Sequence, residues 1–181
     1  MGKFLRVKMS LVFFKNDNSS IIIPIILVSI ITATSYFSTF LFFHFIAEFF
    51  AVFVALSIGL ISYFTFSVTK NRYLLYIGMG YIYIGILDLF HTLTFPNMNI
   101  FIVDGSNTTL TFWVLTRLFE SALLLSAVFM INKELNIKII SFLFMLLTIA
   151  ISLLSLYLPL IMFIEGEGLT LLKNNLEYIC I

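Results

Sequence analysis

Charged residues are scarce in this sequence. Only 10% of its 181 residues are Asp, Glu, Lys or Arg, whereas 61% are hydrophobic and 22 are Phe. A soluble domain usually contains about 25% charged residues, so this chain could not cover a surface that faces water. The composition therefore predicts an integral membrane protein. The few basic residues lie beside apolar stretches and give no indication of binding to nucleic acid.

Cysteine and histidine are scarce as well. The lone Cys180 excludes an internal disulfide and a metal cluster held by thiolates. The only histidines are His44 and His91, and both lie inside apolar stretches long enough to cross a bilayer. Their surroundings are therefore the most informative part of the sequence.

Long apolar stretches predict the fold class. A hydrocarbon core of about 30 Å requires about 20 apolar residues per helix. Five stretches predict an all-α, polytopic bundle of membrane-spanning helices, over residues 20–38, 42–67, 73–95, 108–131 and 138–160. Residues 176–181 resemble the beginning of a sixth helix, so we expect a fragment of a longer protein. On this interpretation residues 1–19 form a cytoplasmic segment, and residues 20–181 form a membrane-embedded domain that is incomplete at its C-terminus.

Basic residues predict how the chain is oriented in the bilayer. Lys and Arg collect in the short cytoplasmic loops of membrane proteins. Here they precede the first span and lie in the links after the second and fourth spans: Lys3, Arg6, Lys8, Lys15, Lys70, Arg72, Lys133 and Lys138. The opposite links, around Thr39 and over 96–107, contain none. We therefore expect a cytoplasmic N-terminus and a multi-pass protein of the inner (cytoplasmic) membrane.

Three spans carry ionisable residues at helical spacing. An ionisable side chain at the centre of a membrane helix costs about 2.5–3.5 kcal/mol on insertion scales, so such residues usually have a function. Residues three or four apart share a helical face. This spacing relates His44 to Glu48, Asp88 to His91, and Arg117 to Glu120, with Trp113 on the face of Arg117. All lie in the predicted outer halves of their spans, so we expect one ligand-binding pocket that opens to the outside.

Small residues extend two of these faces. Such residues let membrane helices approach closely. The second and third spans are therefore predicted to pack through the small residues Ala51, Ala55, Gly59, Ser62, Gly78 and Gly85.

Several other interpretations of the ionisable residues stay open. The pairs could serve only as polar contacts between helices. Two imidazoles with carboxylates also resemble a ligand set for a divalent transition metal, here His44, Glu48, Asp88 and His91. A haem between the two histidines and a metal- or haem-binding membrane enzyme are further alternatives. A small transporter would need polar residues that continue to the cytoplasmic ends of the spans, but those halves are almost wholly apolar.

The same residues support a family resemblance. The chain resembles the third type of bacterial membrane-associated sensor domain through four groups of residues: Phe43, His44 and Glu48; Asp88, His91, Thr92, Leu93 and Met98; Trp113, Arg117, Glu120 and Ser121; and Gly166, Gly168, Leu169, Thr170, Lys173, Glu177 and Tyr178. Asn97 departs from the family pattern, which has Gly before Met98.

The resemblance implies a sensory function. It suggests the N-terminal input domain of a two-component histidine kinase or a diguanylate cyclase, not an enzyme in its own right. A small ligand, a metal or a redox stimulus would act at the predicted pocket. The pocket would pass the signal to a cytoplasmic output domain, which this chain lacks, and a homodimer is left open.

Overall fold

The computed structural model describes residues 19–98, 100–101, 105–131, 133 and 136–180. It contains six helices and one short hairpin: α1 (Ser19–Phe37), α2 (Phe40–Thr69), α3 (Arg72–Leu93), α4 (Gly105–Phe129), α5 (Ile137–Tyr157), β1 (Phe163–Ile164), β2 (Gly168–Leu169) and α6 (Leu171–Cys180). Four basic residues used to predict the orientation, Lys3, Arg6, Lys8 and Lys15, lie outside the described residues, as does nearly all of the predicted cytoplasmic segment 1–19.

The predicted spans coincide with α1 to α5, with ends that differ by up to three residues. Four of these helices, α2 to α5, are long and apolar enough to cross a membrane, whereas the apolar part of α1 is shorter, Ile21–Phe37. Their outward faces carry large exposed side chains such as Phe53, Phe64 and Leu125, which suit contact with lipid. The prediction of an all-α, multi-pass membrane protein is confirmed.

The chain divides into two compact units at Phe43 and His44. The first unit contains α1 and the beginning of α2. Ser38 and Thr39 separate these helices, and the Thr39 carbonyl accepts a hydrogen bond from the Phe43 N–H. The second unit contains every predicted site residue.

The core of the second unit lies among α3, α4 and α5. Leu87 and Phe112 are fully buried there, and Phe119 and Ile151 belong to the same cluster. Phe90 stacks on Phe112 with ring centroids 5.7 Å apart. This packing fixes α3 against α4 and thereby fixes the residues that both helices contribute to the site.

Small residues bring α2 against α3, as their spacing predicted. A Cβ atom added to Gly78 would lie 2.2 Å from Cβ of Ser62. At Gly85 the corresponding distance, to Cβ of Ala55, is 3.3 Å. Because no larger residue fits at Gly78, this glycine sets how closely the two helices approach.

The hairpin after α5 is tied to the beginning of α4. The Asn107 side-chain oxygen accepts hydrogen bonds from the N–H groups of Met162 and Phe163, at 2.9 and 2.8 Å. Gly166 and Gly168 occupy the left-handed region, with φ of 86° and 91°, which glycine adopts without strain. The hairpin therefore lies over the end of the bundle at which α4 begins.

Helix α6 runs parallel to α4. Lys173, near its beginning, contacts Trp113, and the carbonyl of Cys180, at its end, accepts a hydrogen bond from the Ser121 hydroxyl. The helix begins at Leu171, five residues before the predicted start at 176. It is ten residues long and is not among the four helices that meet the length for a membrane crossing.

Candidate functional site

Two imidazoles and one carboxylate meet where α2 packs on α3. The potential metal-binding atoms of His44, Glu48 and His91 all lie within 4.8 Å of one another. Nε2 of His91 is 4.0 Å from Oε1 of Glu48. The two imidazole rings lie at 78° to each other, with centroids 5.8 Å apart. We call these three residues the histidine cluster.

A main-chain contact orients the His91 ring. Its Nδ1 lies 3.0 Å from the carbonyl oxygen of Thr109 on α4. A carbonyl oxygen only accepts hydrogen bonds, so Nδ1 is the donor and carries a hydrogen. In the neutral ring the other nitrogen, Nε2, then has a free lone pair, and this is the nitrogen nearest Glu48.

A cavity of about 360 Å³ adjoins the histidine cluster. The α3–α4 link, α4, the hairpin and α6 all contribute to its walls, through Phe95, Leu110, Trp113, Phe163, Lys173 and Glu177. His44 packs on Phe95 with ring centroids 3.9 Å apart. The exposed surface of the cavity is mainly apolar, but polar side chains from several helices also line it, and this combination is typical of sites that bind small molecules.

The other ionisable residues form a separate group one helical turn along α3. Arg117 donates to Oδ1 of Asp88 at 2.5 Å and to Oε2 of Glu120 at 2.6 Å. The Tyr81 hydroxyl donates to the second oxygen of Glu120 at 3.0 Å. We call these four residues the arginine cluster. Its hydrogen bonds join α3 to α4, although the buried Nε of Arg117 has no hydrogen-bond partner among the described residues.

The structure divides the predicted site residues between these two groups. His44, Glu48 and His91 come together as predicted, but the predicted fourth metal ligand, Asp88, binds Arg117 instead. Arg117 and Glu120 form the expected pair within α4. Trp113 lies between the groups, because it lines both the cavity of the histidine cluster and a second cavity of about 320 Å³ beside Arg117.

Two residues of the site were missed by the pattern of ionisable residues in the spans. Lys173 and Glu177 form an ion pair along α6, and both line the main cavity. The Lys173 side chain is largely buried, with Nζ 5.4 Å from the centre of the Trp113 ring. Their spacing of four residues was the available signal, since it is the spacing of a helical ion pair.

The arrangement does not suit a haem held by both histidines. An oxygen of the Glu48 carboxylate lies within 4.8 Å of both imidazole donor atoms, so a third donor group stands beside them. The His44 ring also packs directly on Phe95. The set of donors fits a small ion better than a macrocycle.

Polar groups further along the spans are of a different kind. Tyr76 pairs with Ser126 at 2.7 Å, and Tyr83 pairs with Ser141 at 2.8 Å. In the described parts of α2 to α5, no acid or histidine lies between the two clusters and the basic links. A relay of ionisable groups through these helices, as a transporter would need, therefore has no continuation there.

Comparison with known families assigns most of the chain to one family. Residues 35–181 match the family MASE3, the membrane-associated sensor domain. The chain belongs to this family. No curated protein and no solved structure matches the chain.

Membership in MASE3 makes the chain a membrane-associated sensor domain. The match begins just before α2 and extends through α6, so it covers both clusters, the hairpin and the cavity. The protein is thus a multi-pass membrane sensor domain.

The one departure from the MASE3 pattern noted in the sequence has a structural basis. Asn97 has φ of 71°, in the left-handed region that glycine adopts easily. Asn is among the few other residues that adopt this conformation readily. The turn between α3 and α4 can therefore form with Asn in place of Gly.

Proposed function

We propose that this chain is the input domain of a bacterial signal-transduction protein and binds its stimulus in the cavity beside the histidine cluster. The observation that carries the proposal is the junction of two imidazoles and a carboxylate with a 360 Å³ cavity in a membrane sensor domain. Ionisable groups at such a position are costly, and a binding role accounts for that cost.

The cavity lies at the end of the helices that we expect to face outward. His44 is near the beginning of α2 and His91 near the end of α3, whereas Lys70 and Arg72 lie at the opposite ends of these helices. Lys133, between α4 and α5, and Lys138, in the first turn of α5, are at that opposite end too. Basic links face the cytoplasm, so the stimulus would enter from outside the inner membrane.

Helix α6 is the element that would transmit the signal. It contributes Lys173 and Glu177 to the cavity, and it then runs beside α4 toward the end with the basic links. A ligand that binds one position of α6 more tightly than another shifts the population toward that position. A cytoplasmic output domain, a histidine kinase or a diguanylate cyclase, would respond to this shift.

Thermal unfolding of the purified chain in detergent micelles tests whether the cavity binds ligands. Zinc chloride, sodium acetate and indole serve as probes of three classes: a divalent cation, a small carboxylate and an apolar ring. A ligand at 100 times its dissociation constant stabilises a protein by about 2.7 kcal/mol. We expect at least one probe to raise the midpoint of the native chain but not that of Leu110→Trp, which fills the cavity.

The matched control is Leu125→Trp, the same change on α4 at a side chain that is 67% exposed. This variant should keep the response of the native chain. A nitroxide on Cys180, the only thiol of the chain, then reports whether the active probe changes the mobility of α6. If none of the three probes raises the midpoint, or if Leu110→Trp responds like the native chain, the cavity is not the binding site.

A further inference from the structure

We propose that the histidine cluster binds a divalent first-row transition-metal ion, with Zn²⁺ as the ion that it fits best. This inference rests on the proposed sensory function and names the class of its ligand. The three donor side chains are His44, Glu48 and His91. Imidazole nitrogens favour Zn²⁺ and its neighbours, whereas Mg²⁺ and Ca²⁺ prefer oxygen ligands.

The distances in the cluster allow such a site. Zn–N and Zn–O bonds of about 2.0–2.2 Å place tetrahedral ligand atoms about 3.3–3.5 Å apart. Here the separation between Nε2 of His91 and Oε1 of Glu48 is 4.0 Å, and no donor separation in the cluster exceeds 4.8 Å. Glu48 has a flexible side chain, 26% exposed, so rotation about its torsions can close the remaining distance.

The hydrogen bond from His91 to Thr109 prepares the ring for a metal. Histidines that bind metals usually donate their other ring N–H to a carbonyl or a carboxylate, which fixes the tautomer and the orientation of the ring. The Thr109 carbonyl does this for His91 and leaves Nε2 as the donor atom on the side of Glu48. Thr109 is in α4, so the contact also ties the site to a third helix.

The charges around the cluster favour a cation. Two cations, Arg117 and Lys173, stand against four carboxylates, those of Glu48, Asp88, Glu120 and Glu177. With all six ionised, two cations against four anions leave an excess of two negative charges, which a divalent ion would neutralise. Electrostatic attraction between charges is stronger in the low-dielectric interior of a protein than in water.

The cavity leaves space for a further ligand on the ion. Three protein ligands and one open position are typical of zinc sites that exchange a water or a small molecule. The cluster forms one part of the cavity wall, so the open position would face the 360 Å³ space beside Trp113 and Lys173. Occupancy of the ion is thereby coupled to the helix that carries Lys173.

Cobalt spectroscopy of the full chain in detergent micelles tests the site directly. Co²⁺ in a site of this kind gives visible absorption bands, and titration with Zn²⁺ should abolish them at one ion per chain. Loss of a second-shell partner costs about 10–100-fold in affinity, so loss of a direct ligand in His91→Ala, His44→Ala or Glu48→Gln should cost more than about 100-fold. The near-isosteric Asp88→Asn removes a carboxylate of the arginine cluster but no donor atom of the ion, so it should keep the Co²⁺ bands at saturating Co²⁺.

Three results would overturn the inference. The first is a native chain without Co²⁺ bands and without stoichiometric Zn²⁺ binding, a result that needs no variant to fold. The second is a Glu48→Gln chain with native affinity, and the third is an Asp88→Asn chain that loses the bands as completely as His91→Ala does. Stabilisation of the native chain by acetate or indole, but not by Zn²⁺, would refute the metal and leave the proposed function standing.

Discussion

The histidine cluster and the arginine cluster are one helical turn apart on α3, yet they use ionisable residues in opposite ways. In the arginine cluster both carboxylates accept hydrogen bonds of 2.5 and 2.6 Å from Arg117. In the histidine cluster Nε2 of His91 and Oε1 of Glu48 are 4.0 Å apart, and a cavity lies beside them. Both carboxylates of the first group are bonded to a cation, whereas the second group lies beside a cavity with room for a ligand. We therefore expect these neighbouring polar groups to have separate roles, the first in stability and the second in binding.

The largest loss of stability is expected from a substitution that breaks the arginine cluster. Arg117→Met leaves Asp88 and Glu120 without their cation, and removing one partner of a buried ion pair costs about 3–5 kcal/mol. Glu48→Gln should change stability by less than about 1 kcal/mol, because its contact with Nε2 of His91 is 4.0 Å long, whereas the Arg117 contacts are 2.5 and 2.6 Å. Unfolding by SDS in mixed micelles measures both. Equal losses of stability would mean that the histidine cluster is also structural.

The next largest effect is expected from a substitution that moves apart α2 and α3, the two helices that form the histidine cluster. Gly78→Ala would place a Cβ atom 2.2 Å from that of Ser62, so α2 must move away from α3. We expect a loss of about 1–3 kcal/mol from overpacking, and a Zn²⁺ affinity about tenfold lower, as for a displaced second-shell contact. Gly85→Ala is the graded control, because its contact with Ala55 would be 3.3 Å. If both variants bind Zn²⁺ equally well, the approach of α2 to α3 does not determine the site.

A smaller effect concerns the wall of the cavity. Asn107→Ala removes the acceptor for the N–H groups of Met162 and Phe163, at a cost of about 1–2 kcal/mol. Amide hydrogen exchange at these two residues should become faster. Asn107→Asp keeps an acceptor oxygen and should exchange like the native chain. Unchanged exchange in Asn107→Ala would show that the hairpin is held by other contacts.

The smallest effect lies outside both clusters, at the turn between α3 and α4. Asn97→Gly should change the unfolding free energy by less than about 0.5 kcal/mol, because both residues adopt the left-handed conformation. Asn97→Ala should lower it by about 1 kcal/mol. Thermal unfolding measures both, and Zn²⁺ affinity should stay native in each. A loss of affinity in Asn97→Gly would extend the site into this turn.

The sequence alone predicted the helices well because long apolar stretches have few other conformations in a bilayer. Polar links such as Lys70–Arg72 then marked where the helices end. Helical spacing also identified the faces of α2 and α3 that pack together, since the small residues and the ionisable residues share those faces. Helix positions, helix ends and packing faces depend on residues that are close in sequence, so the local periodicity of the sequence is enough to predict them.

Partners across helices were beyond such reasoning. Spacing placed Asp88 beside His91, but it does not fix how far one helix slides along or turns against another. In the structure Asp88 pairs with Arg117 on α4, and Glu120 accepts a hydrogen bond from the Tyr81 hydroxyl on α3. The spacing of ionisable residues in the spans did not include Lys173 and Glu177 for a related reason, because only the hairpin's return over α4 brings α6 to the cavity.

The contact between His91 and Thr109 has one more consequence. Since the acceptor is a peptide oxygen, replacing the side chain at position 109 cannot delete it. Substitutions in the walls of the cavity could thus change which ligand it binds, while the His91 imidazole keeps the same tautomer and orientation.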